Sequence, residues 1–140
     1  MLYAISDLED FTLHAAIDNI GLVKDFYFED SNWVIKYFRI ELDSRSSGSS
    51  VLISPDAVNK MNREEKTLSV NISLAQIKSS RDADTYQPIC NNQLISCKTI
   101  MGFEILASDG HIGHVQEILI DEETWQIRYL VVDTSKWWFG

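Results

Sequence analysis

A shift of 92 residues lays one end of this chain onto the other. Residues 11–43 align without a gap on residues 103–135, and eight of the 33 positions are identical: Phe11/Phe103, Ala15/Ala107, Ile20/Ile112, Gly21/Gly113, Val23/Val115, Trp33/Trp125, Ile35/Ile127 and Tyr37/Tyr129. Ordinary residue frequencies give about two matches by chance. Other positions are conservative, among them Asp25/Glu117, Phe28/Ile120, Lys36/Arg128 and Glu41/Asp133. Two copies of one structural unit follow, and each must bury a similar face.

Each copy reads as β structure. Phe11–Ala15 and Phe103–Ala107 are short apolar segments, followed by Asp18-Asn19 and Asp109-Gly110. Asp-Gly supplies the positive φ that a tight hairpin turn needs. Gly21–Phe28 and Gly113–Ile120 alternate as strands, with Val23, Asp25 and Tyr27 on one face. The acidic stretches Glu29–Asn32 and Asp121–Thr124 reverse the chain into Trp33–Leu42 and Trp125–Thr134, rich in β-branched and aromatic residues. In these last strands the apolar set changes phase, which suits a bent or bulged barrel.

The intervening chain differs. Residues 44–50 are a polar loop, and Val51–Ser54 is a short strand stopped by Pro55. Ala57–Asn62 and Lys66–Ile72 form a hairpin about Arg63-Glu64-Glu65. Ser73-Leu74-Ala75-Gln76 fits a capping box, which predicts a short helix over 74–79. The organisation is then a first repeat over 1–80, a linker over 81–98 and a second repeat over 99–140.

These residues resemble the PRC-barrel domain, the β-barrel of the cytoplasmic part of the photosynthetic reaction-centre H subunit. The resemblance rests on Ile20–Phe28, Trp33–Tyr37 and Val51–Pro55, and again on Asp109–Val115 and Trp125–Asp133. It implies a mainly β fold of two small PRC-type barrels in tandem, as in stand-alone bacterial proteins with two such units. A related barrel occurs in a ribosome-maturation factor. Its motifs are structural, so they specify fold better than function. The equivalent of Val51–Pro55 would fall at 143–147, so the second repeat lacks its closing strand within these 140 residues. An open edge beside Trp137, Trp138 and Phe139 calls for a cover, so a protein partner or a homodimer is expected there.

Composition excludes several classes. The net charge of −9, from 12 basic and 21 acidic residues, opposes a nucleic-acid surface. No run of 18 apolar residues exists, and the acidic start Met1–Asp10 is no leader peptide, so a cytoplasmic location is expected. Cys90 and Cys97, seven apart, form no redox motif.

The chemistry candidates are few. His111 and His114 lie three apart at a strand start, and a metal-responsive sensor or enzyme using them is one alternative; a metal site needs further ligands, and none sits at matching spacing. Asp25/Glu117 read as rim charges or as partners of Lys36 and Arg128. Trp33, Trp125, Tyr37 and Tyr129 recur in phase and read as core. No nucleophile triad, phosphate loop or dinucleotide fingerprint is present. The reading is a non-catalytic module without cofactor or metal, acting in protein interaction or assembly. A ribosome-associated role through protein contacts is a further alternative.

Overall fold

The computed structural model describes residues 2–15, 18–42, 50–71, 94–108 and 110–134. Strand β1 (Leu2–Ala4) runs into a one-turn helix, α1 (Ile5–Leu8). Then β2 (Thr12–Ala15), β3 (Asp18–Glu29) and β4 (Ile35–Leu42) form an antiparallel meander. β5 (Ser50–Ile53) lies on β4, and a 3-10 turn over Pro55–Ala57 leads into the hairpin of β6 (Val58–Asn62) and β7 (Thr67–Val70). After residue 93 the pattern returns as β8 (Leu94–Ser96), α2 (Cys97–Ile100), β9 (Glu104–Ala107), β10 (Gly110–Asp121) and β11 (Ile127–Asp133).

The fold is mainly β, as expected, with its strands in two sheets. Seven strands make one sheet, ordered β5-β4-β3-β2-β7-β6 with β8 also on β3. Four make the other, ordered β1-β10-β11 with β9 also on β10. Among the described residues neither sheet closes on itself. The segment predicted as a helix, 74–79, lies outside the described residues, as do Cys90, Trp137, Trp138 and Phe139. Residues 94–98, inside the stretch read as linker, form β8 and open α2.

The bends come from bulges. The register of β3 on β4 slips between Val23 and Asp25, and that of β10 on β11 slips between Val115 and Glu117. One extra residue changes which face the following side chains occupy. Val23, Phe26 and Phe28 therefore all enter the core, where simple alternation would have separated Val23 from the two phenylalanines. Gly21 sits where β3 presses on β4: a Cβ there would meet the Glu41 carbonyl oxygen at 2.5 Å. Gly113 meets Asp133 in the same way, closer still.

The two short arms, β1-α1 and β8-α2, are exchanged between the halves. β1 pairs with β10, matching Leu2 to Asp121, Tyr3 to Ile120 and Ala4 to Leu119. β8 pairs with β3, matching Leu94 to Glu29, Ile95 to Phe28 and Ser96 to Tyr27. The two registers are related by a shift of 92 in both strands. The halves also meet at a local two-fold, where Val34 bridges Gln126. There the Ile35 amide donates to the Trp125 carbonyl and the Ile127 amide to the Trp33 carbonyl, each at 2.7 Å.

The tryptophans are therefore not simple core residues. Trp33 and Trp125 both adopt φ 59°, a left-handed conformation that costs a bulky side chain free energy. It is held by the Trp33 amide donating to the Glu29 carbonyl at 2.9 Å and that of Trp125 to Asp121 at 2.7 Å. Trp33 stacks on Phe28 and remains well exposed, while Trp125 packs edge-on against Phe38 of the other half. One apolar core spans both halves and includes Ile5 and Leu8 of the first arm and Cys97 of the second.

Candidate functional site: an uncovered sheet face

Equivalent residues of the halves differ in burial because their covering strands differ. In the first half, β5 lies on the edge of β4 and β7 lies parallel on β2. Phe11, Leu13, Phe38 and Ile40 are fully buried behind these strands. Their equivalents at the same shift are Phe103, Ile105, Leu130 and Val132. Phe103 is 53% exposed against 2% for Phe11, and Ile105, Leu130 and Val132 are only part-buried. Among the described residues no strand lies on the outer edge of β11 or β9. Leu106, Tyr129 and Val131 expose apolar surface on the opposite face of the same two edge strands. An uncovered strand edge with apolar surface is open to pairing with another chain.

The recurring carboxylates do something else. Asp25 accepts from the Lys98 amide at 3.1 Å in the first turn of α2, from the Phe26 amide at 2.7 Å, and from the Ser96 hydroxyl. Glu117 accepts from the Ser6 amide of α1 at 3.2 Å, from the Ile118 amide at 3.0 Å, and from the Ser6 hydroxyl. Each acidic side chain thus satisfies amide donors at the start of the arm helix docked on its strand, where a negative charge is also favoured. The reading of these two as rim charges is corrected accordingly. Lys36 and Arg128 pair instead with Glu29 at 3.2 Å and Asp121 at 3.5 Å.

The sequence could show that the acidic position recurs. It could not show that the partner is backbone, 73 and 111 residues distant. Cys97, on the arm beside Asp25, is free and fully buried. Burial, and then the Asp25 charge, push its thiol pKa well above the ordinary range. A thiol held protonated is a poor nucleophile.

His114 lies 3.7 Å from the Asp133 carboxylate. His111 lies on β10, and its side chain is outside the described part. Among the described residues, no three His, Cys, Asp or Glu side chains converge as metal ligands. An apolar gap between Leu8, Phe11, Phe26, Phe38 and Trp125 has room of about 10 Å³, enough for one water-sized body. A wider, open groove on the outer face of β2, β6 and β7 is lined by His14, Asn19, Lys60, Asn62 and Glu65. His14 Nδ1 there is engaged with Asn19 Oδ1 at 2.9 Å, and Thr67 and Ser69 complete the lining. Among the described residues no helix is long and apolar enough to cross a membrane.

The class these features define is a bulged, glycine-pinned β domain with a docked N-terminal arm. Residues 93–140, which include the β8-α2 arm, match the PRC-barrel domain family. No curated protein matches the chain.

Proposed function

We propose that the chain is a non-catalytic assembly module built from two PRC-type units, and that it binds protein through the uncovered face of the second. The carrying observation is the contrast between Phe11, buried behind β7 and β5, and Phe103, left open at the equivalent place. The family match over 93–140 supports a domain of this kind. For the first unit the support is the recurrence, at a shift of 92, of strand order, bulge, glycine contact and carboxylate cap.

The test is site-specific photo-crosslinking. A photoreactive phenylalanine at Leu106 or Tyr129 yields protein adducts in cells, and one at Glu65, on the covered first unit, does not. Absence of adducts from the second-unit positions contradicts the reading.

A further inference from the structure

We infer that the occupant of the β11 edge is a second molecule of this same chain, paired antiparallel about a two-fold at Val131. The inference rests on the proposed interaction face and names its partner.

The first half provides the template. On β4, strand β5 runs antiparallel with Phe38 opposite Ile53, Arg39 opposite Leu52 and Ile40 opposite Val51. Val51 and Ile53 point into the core and bury Phe38 and Ile40. An occupant of β11 must therefore present an apolar residue, any residue, then an apolar residue opposite Leu130, Val131 and Val132. β11 itself has this pattern.

Centring the two-fold on Val131 places Leu130 against Val132 of the second molecule and Val132 against its Leu130. Both pairs lie on the core face, where directly opposed side chains come within reach of each other. Tyr129 then faces Asp133, Arg128 faces Thr134, and no like charges are opposed. Moving the centre to residue 129 or 130 puts Arg128 opposite Leu130 or Val132. Moving it to 132 or 133 puts Thr134 opposite Leu130 or Val132. One register alone keeps both apolar positions matched. Such a two-fold edge pairing is self-limiting for this edge, since each β11 is used once.

The experiment uses the full chain with Cys90→Ser, Cys97 remaining buried. Sedimentation equilibrium is expected to show a monomer–dimer equilibrium. Val131→Cys is expected to form a symmetric interchain disulfide on mild oxidation, and Lys60→Cys to form none. Val131 is exposed, so substitution there spares the fold. Val131→Lys and Val131→Glu are each expected to weaken dimerisation about tenfold or more, and a 1:1 mixture of the two to restore it by pairing Lys with Glu across the axis.

A monomer at all concentrations overturns the inference. A dimer insensitive to both charge variants, or one that no Val131→Cys disulfide captures, overturns it as well. If the chain is monomeric while Leu106 and Tyr129 still crosslink to a different protein, this inference falls and the proposed function stands. If neither occurs, both fall.

Discussion

Asp25 and Glu117 hold the molecule's arms at the scale of single residues. Truncating a carboxylate that caps helix amides costs about 1–2 kcal/mol. Asp25→Ala and Glu117→Ala should each lower stability by that amount in urea unfolding, and the Asp25 change should also open α2. That opening has its own readout. In the native protein Cys97 should resist iodoacetamide at pH 8, and in Asp25→Ala it should become labelled through local opening of the arm. Gly113→Ala should be more damaging than either cap change, because the added Cβ meets the Asp133 carbonyl across a strand pair rather than a movable side chain; loss of soluble folded protein measures it. The glycines and acidic positions were legible as recurrences. Their partners were not, since a main-chain donor far along the chain leaves no mark in composition or spacing.

The arms carry the most information among the elements and were the least visible. A three-residue strand and a four-residue helix have no stability of their own. They exist because Ile5 and Leu8 are buried in the shared core. Leu8→Ala should therefore destabilise the whole protein by about 2–4 kcal/mol, read as a shift of the denaturant midpoint. By contrast β3, β4, β10 and β11 were legible, because each is long, rich in β-branched and aromatic residues and bounded by acidic turns. The β6–β7 hairpin and the stop at Pro55 were legible for similar local reasons. The bulges were not. An extra residue at Lys24 or Gln116 looks like ordinary alternation until the strand must place both Val23 and Phe26 inward.

Two halves that look like separate barrels in sequence share one core in the whole molecule. The recurrence at 92 residues predicts similar units, but it is blind to which unit each arm joins, because exchanged and unexchanged arms have the same local sequence. The structure resolves this through the two-fold at Val34 and Gln126 and through the arm registers. A shared core unfolds as one unit, so heat and urea should give a single transition by both fluorescence and circular dichroism. Two separable transitions would mean independent barrels. The exchange itself is tested most directly by cross-strand nuclear Overhauser effects from the first arm. The account predicts backbone contacts from Tyr3 to Ile120 and from Ala4 to Leu119. Contacts from Tyr3 to Phe28 and from Ala4 to Tyr27 would place the arm on its own half and contradict it.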